Sequence, residues 1–273
     1  MSLSAIAATD QSQPGTFAPL SAVLLREFRA ALLNRYVQVF SALALGGGIA
    51  AVAVTESPGA PAFFLLQIAL YFVSLFALLA GVSAARAEAE EWPIFFSQPA
   101  PRRACVIGKF AALCANFSGL LALLFAPALF SEGSPAALAQ LYLQTLALAA
   151  VFGSVGLCAG FLASDRVQGL IASVSAWLVL LFGLDLVALL AAQWAPLQKV
   201  PDAWVALLML NPLDAFRIQA LFALEQIPAE AANKTPLAHW WLTHAGLWLA
   251  MLCAGWTGAL LLVTNRHLDR AEI

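Results

Sequence analysis

Side chains able to bind or move charge gather at three places in the sequence. Residues 86 to 109 hold Arg86, Glu88, Glu90, Glu91, Arg102, Arg103 and Lys109, with Pro99 and Gly108 among them. A second group is the run Asn211-Pro212-Leu213-Asp214-Ala215-Phe216-Arg217. The third is a single residue, Asp185, inside the apolar stretch Leu170 to Gln193. An ionisable residue in such a stretch is expensive to bury and is a functional candidate by default. Other combinations carry less. His239 and His244 are five apart, about 140° around a helix, so they do not share a face as metal ligands at i, i+4 would. Cys105, Cys114, Cys158 and Cys253 form no CxxC pair and read as buried thiols rather than metal or redox ligands. With three methionines and no Met- or His-rich face, the helices offer no copper path. There is no H-E-x-x-H, no G-x-S-x-G and no pair of carboxylates within a span, so the chain reads as non-catalytic, without a metal or cofactor of its own.

Each group has a plain reading beside the functional one. Residues 86 to 109 can be a charged loop with three prolines and a Lys anchoring a helix end. A connection between neighbouring helices needs about 2–8 residues, however, and this one is several times longer, enough for a short helix that presents a surface to a partner. Gly108-Lys109 does not end a phosphate-binding loop, because Arg103 stands where that motif requires Gly and Phe110 where it requires Ser or Thr. In the second group Asn211 can cap free N–H groups, Pro212 suits the first helical position, and Asp214 complements the positive end of the helix. An Asp214–Arg217 pair at i, i+3 adds a few tenths of a kcal/mol, about 0.2–0.5. Asp185 lies about 22 Å along a span that starts near Leu170, close enough to the far interface either to line a conduit or to pair with Arg217.

The elements that position these groups follow from composition. Of 273 residues, 62% are hydrophobic and 10% charged, which a water-soluble globule of this size cannot accommodate. The bilayer must be part of the solvent. A net charge of −2 without a basic cluster argues against nucleic acid as a partner. The first 20 residues lack Lys and Arg and are broken by Asp10, Gln11, Gln13 and Pro14, unlike a cleavable signal peptide.

Six segments are long and apolar enough to cross: Tyr36 to Val54, Ala62 to Ala84, Phe110 to Phe130, Leu138 to Ala163, Leu170 to Gln193, and Trp240 to Thr264. Ten of the 13 Lys and Arg fall on one side of these spans. Lys199, Arg217 and Lys234 fall on the other. The positive-inside rule then places both termini in the cytoplasm. The expected fold is an all-α integral membrane protein with six transmembrane helices. A flexible segment, 1–21, precedes an interfacial helix, 22–35, in which Leu24, Leu25, Phe28, Ala31 and Leu32 share a face opposite Arg26 and Arg29. The membrane domain covers 36–264, with a cytoplasmic connection at 85–109 and an extracytoplasmic segment at 194–239 that packs as short helices; 265–273 is a cytoplasmic tail. Gly156 and Gly160 form a G-x-x-x-G, and Gly46 to Gly48 cluster in the first span, both read as sites of close helix packing.

The connection at 85–109 resembles that of the ABC-2 exporter permeases. In that family an acidic residue, Gly-Thr, an apolar stretch, Pro-x-x-Arg and Gly-Lys lie between the second and third spans. Pro99, Arg102, Gly108 and Lys109 match in identity and spacing, and Glu88 takes the acidic position. Glu90-Glu91 stand where Gly-Thr is expected. Asn211-Pro212-x-Asp214-x-x-Arg217 before the last span, together with Leu184-Asp185-Leu186-Val187, resembles the branch that serves maturation of nitrous oxide reductase. The resemblance covers most of the chain in topology and three short motifs in residues. It implies two copies of the permease in membrane lipid, and a cytoplasmic ABC ATPase dimer that carries ATP and Mg and docks around Glu88 to Lys109. It also implies a periplasmic β-helix accessory protein, a bacterial inner-membrane location, and export of a sulfur-containing species for a copper–sulfur cluster. A general ABC-2 exporter of a lipid, polysaccharide or hydrophobic compound shares every feature except the Asn211 to Arg217 motif. A secondary transporter or membrane scaffold would need no ATPase.

Overall fold

The computed structural model describes residues 35–54, 60–87, 102–130, 135–191, 201–224 and 236–270, together with Leu25 and Arg29, which are helical and exposed. Among the described residues there is no strand. Helix α1 is Arg35–Ala53. Helix α2 runs Ala60–Arg86 and is interrupted by a π-helical turn at Ala69–Val73. Helices α3 (Arg102–Leu129) and α4 (Pro135–Leu162) follow. Helix α5 comprises Arg166–Leu178, a second π-turn at Val179–Gly183, and Leu184–Ala191. The remaining helices are α6 (Pro201–Leu210), α7 (Pro212–Ala223), α8 (Pro236–Thr243) and α9 (Ala245–Arg270).

Local chemistry explains several helix starts. Four helices open on Pro (Pro135, Pro201, Pro212 and Pro236), whose missing N–H and fixed φ suit the first helical position. The tight reversal from α4 to α5 is closed by reciprocal capping. Asp165 accepts from the Gln168 amide at 2.7 Å, and Gln168 Oε1 accepts from the Ser164 amide and hydroxyl at 2.8 and 2.7 Å.

Among the described residues, five stretches are long and apolar enough to cross a membrane: Ala60–Arg86, Arg103–Leu129, Pro135–Leu162, Arg166–Val187 and Ala245–Arg270. They correspond to the second through sixth expected spans. The first expected span forms α1, whose apolar part, Val37–Ala53, is shorter than the others. A further candidate lies in the connection expected to pack as short surface helices. There α6 and α7 meet at 106° and together pass as one broken span or re-entrant loop, giving up to six. Of the 22–35 segment expected to lie on the surface, only Leu25, Arg29 and Arg35, the first residue of α1, are described.

Helix α4 is the centre of the bundle. In α4, 72% of the apolar stretch is buried within the protein, against 12% in α5 and 11% in α9. The G-x-x-x-G of α4 faces α2 of the same chain. A Cβ at Gly156 would overlap the Leu78 carbonyl, and one on Gly81 would meet the Gly153 carbonyl and lie 2.8 Å from the Leu157 amide nitrogen. Glycine at both positions lets the two backbones touch, so packing rather than solvent exclusion holds them. Gly160 brings Ala85 equally close, at 2.6 Å from a Cβ placed there. One end of the bundle is closed by Arg103–Asp269 (3.1 Å) and by Arg86 Nη1 donating to the Ser164 carbonyl (3.3 Å). This basic end lies opposite the α6–α7 break.

Candidate functional site at the broken helix pair

A chain that turns by 106° between two apolar helices leaves carbonyls at the end of the first and amides at the start of the second without helical partners. In apolar surroundings each such group costs free energy unless it is met. Here side chains meet them. The indoles of Trp248 and Trp256, on α9, donate to the Met209 and Leu210 carbonyls at 2.9 and 3.2 Å. On the other side of the bend Pro212 has no N–H, the Leu213 amide donates to Asn211 Oδ1 at 3.1 Å, and the Ala215 amide donates to the Asn211 carbonyl at 2.9 Å.

Asn211 does more than cap. Its Nδ2 donates to Asp214 Oδ2 and to the Leu180 carbonyl, both at 2.6 Å. Leu180 belongs to the π-turn of α5, so one amide group joins the break to that turn. Pro212 through Phe216 are all buried. A surface helix lying at an interface would keep one face exposed; α7 begins instead in the protein interior.

The charged residues form a chain across α5 and α7. Arg217 Nη2 lies 2.9 Å from Asp214 Oδ1. The same guanidinium forks onto Asp185, with Nη2 to Oδ1 at 3.3 Å and Nη1 to Oδ2 at 3.4 Å. The two arms differ in setting: the Asp214 side chain is 4% exposed and that of Asp185 50%. The short, buried contact anchors Arg217, and the long, wet one is weak and exchangeable. No pair of carboxylates was visible in sequence spacing, yet folding places Asp185 and Asp214 on one cation. Tyr71, in the π-turn of α2, stands within electrostatic reach of Arg217. Beside this cluster the buried amides of Gln144 (α4) and Gln219 (α7) meet. With its oxygen turned toward donors, Gln219 accepts from Gln144 Nε2 at 2.6 Å and from the Gly246 amide at 3.3 Å, and donates to the Ala245 carbonyl at 2.9 Å.

The sequence thus brought forward Asn211, Pro212, Asp214, Arg217 and Asp185, and these five converge. The other expected set does not join them. Arg102 opens α3 at the basic end, where Gly108 and Lys109 are buried, Lys109 at 2% exposure. Glu88, Glu90, Glu91 and Pro99 lie outside the described residues. Sequence reasoning missed Trp248, Trp256, Gln144 and Gln219. Only the indole and amide donors inside apolar runs could have signalled them, since such groups need partners when buried. His239 and His244 are both exposed, and His244 stacks on Trp240 with ring centroids 5.3 Å apart. Among the described residues no three His, Cys, Asp or Glu side chains are grouped to hold a metal ion. Cys105, Cys114, Cys158 and Cys253 form no disulfide. No family model matches the chain, and no curated protein matches it.

Proposed function

We propose that the chain is the membrane-embedded permease subunit of an ATP-driven exporter of the ABC-2 type, resident in a bacterial inner membrane with both termini in the cytoplasm. The observation that carries this reading is the use made of the Asn211–Arg217 motif. Asn211, Asp214 and Arg217, the residues through which the resemblance runs, form one bonded unit that ties a buried helix break to α5. The unit lies at the bundle end opposite the basic one, where the charged connection at 86–109 would meet a cytoplasmic ATPase. Two copies with two ATPase subunits form the working transporter. In the finer form of the proposal the exported species contains sulfur and serves assembly of the copper–sulfur cluster of nitrous oxide reductase, received by a periplasmic β-helix protein.

Two experiments test this at its two levels. Co-purification of a nucleotide-binding subunit, and its loss or uncoupling on Glu88→Ala and Arg102→Ala, supports the permease reading; intact assembly and transport in both variants overturns it. Deleting the gene in a host that respires nitrous oxide, then measuring cluster copper in its reductase, tests the finer form, and a full cluster refutes that form alone. One observation favours a second reading. The Asp185–Arg217–Asp214 chain is the kind of paired charge set that ion-coupled carriers place between helices. Transport driven by a proton gradient in vesicles without ATP would select it.

A further inference from the structure

Helices α2 and α5 each contain one π-turn, at Ala69–Val73 and Val179–Gly183. A π-turn inserts one residue into a helical turn, loosens the hydrogen-bond ladder and is a recognised cause of kinks. In α2 the Ser74 amide donates five residues back, to the Ala69 carbonyl, and the Ser74 hydroxyl donates to Leu70 O. The same hydroxyl accepts from Trp177 Nε1 of α5 at 2.9 Å. The helices run antiparallel, Ser74 follows its π-turn and Trp177 precedes the other. Both turns therefore lie on the same side of this one bond, at matching depth.

Packing differs on the two sides of that level. Toward the basic end α2 is pinned to α4 by the Gly81–Gly156 contact, and α5 packs on α4 where a Cβ on Gly169 would lie 3.5 Å from Gly160 Cα. Beyond the turns, Asp185, Leu186, Val187 and Leu189 of α5 are exposed. Two polar links at this level, the Leu180–Asn211 bond and the Asp185–Arg217 pair, lead to the α6–α7 break and α7. Helix α5 thus has a packed half, a weakened turn and a far half tied to α7, while α2, whose far half keeps Ala62, Leu65 and Leu66 in the core, carries its weakened turn at the same level.

The geometry points to a coupled hinge. Helices α2 and α5 bend together at their facing π-turns, kept in phase by the Ser74–Trp177 bond, and the α6–α7 break follows the far half of α5 through Asn211. The device stands whether or not an ATPase drives it. With a lever of about 15 Å from the π-turn to Leu189, a bend of about 15° moves that residue by about 4 Å.

The test uses the full chain in nanodiscs, with its four cysteines replaced and spin labels at exposed positions. Leu143 on α4 is the fixed reference, paired with Leu189 for α5 or with Phe63 for α2. Trp177→Phe keeps an apolar ring but removes the donor; Ser74→Ala removes the acceptor. The expected result is a broadened or shifted distance distribution in both pairs for either variant, so that a change in α5 is read in α2 and the reverse. The double variant should add nothing further to the interhelical coupling, since either single variant already removes the Ser74–Trp177 bond. Asn211→Ser, which keeps a capping oxygen, should broaden a Leu189–Ala223 pair between α5 and α7. If each substitution alters only the pair on its own helix, or neither pair, the coupled hinge is refuted. Should Trp177→Phe fail to fold, Ser74→Ala poses the same question from the other helix and decides it.

Discussion

Replacing Asn211 by Ala removes three bonds at once, and their settings allow the loss to be apportioned. The N-cap to the Leu213 amide is worth about 1 kcal/mol. The bond to the Asp214 carboxylate, to a buried charge, is worth about 1.5–3 kcal/mol. The interhelical bond to the Leu180 carbonyl, between membrane helices, is worth about 0.6–1.7 kcal/mol. Because the three share one side chain they do not add fully, and we expect a total of about 3–5 kcal/mol. Conservative replacements separate the contributions. Asn211→Ser retains a capping oxygen and should lose about 1 kcal/mol less than Ala. Asn211→Asp also caps, but sets a second carboxylate against Asp214 and should be at least as damaging as Ala. Unfolding in mixed micelles by titrated SDS, followed by helical circular dichroism and by the fluorescence of the eight tryptophans, yields the three values. An Ala variant within about 1 kcal/mol of the parent, or an Asp variant more stable than Ser, would refute the assignment of Asn211 as the hub of the break.

Other outcomes follow from the same structure. Gly156→Val should cost about 2–3 kcal/mol or more in the same titration, because its side chain meets the backbone of Leu78 and Val82, which cannot rotate away. Gly255→Ala, with nothing within 4 Å of the added Cβ, should be neutral or gain about 0.5–1 kcal/mol, so equal losses at the two glycines would contradict the packing described. Arg217→Ala should cost about 3 kcal/mol, since it strands the buried Asp214 carboxylate, whereas Asp185→Ala should cost less than about 1 kcal/mol; the reverse order would show that the wet arm carries the pair. Arg103→Ala, which breaks the solvent-exposed pair with Asp269, should leave the unfolding midpoint nearly unchanged, and a large drop would make that end of α9 a structural clamp.

Much of this site was legible in the sequence because its signals are local. Asn211 before Pro212, with Asp214 and Arg217 one turn on, specifies a cap and a pair from spacing alone, and counting along the span put Asp185 near Arg217. The burial of residues 212–216 was not legible. The same motif starts a surface helix equally well, and what covers it, α4, α5 and α9, comes from elsewhere in the chain. The π-turns left no mark on hydrophobic periodicity, since one inserted residue is lost in stretches apolar on every face. Ser74 and Trp177 are 103 residues apart, and neither residue type announces its partner. Lys109 shows the converse. A Lys at a helix start reads as an anchor in water, but α3 begins at Arg102, and the two turns ahead of Lys109 carry it into the interior.

The indoles that close the break have a consequence for the order in which the protein is made. Met209 and Leu210 leave the ribosome well before Trp248 and Trp256, which follow them by 39 and 46 residues. Until then two carbonyls face apolar surroundings without donors. A chain that stopped before residue 245 would lack both donors at the 106° bend between α6 and α7. The last helix therefore completes a bend laid down long before it, and the backbone at that bend is fully satisfied only when residues 39 and 46 positions downstream have packed against it.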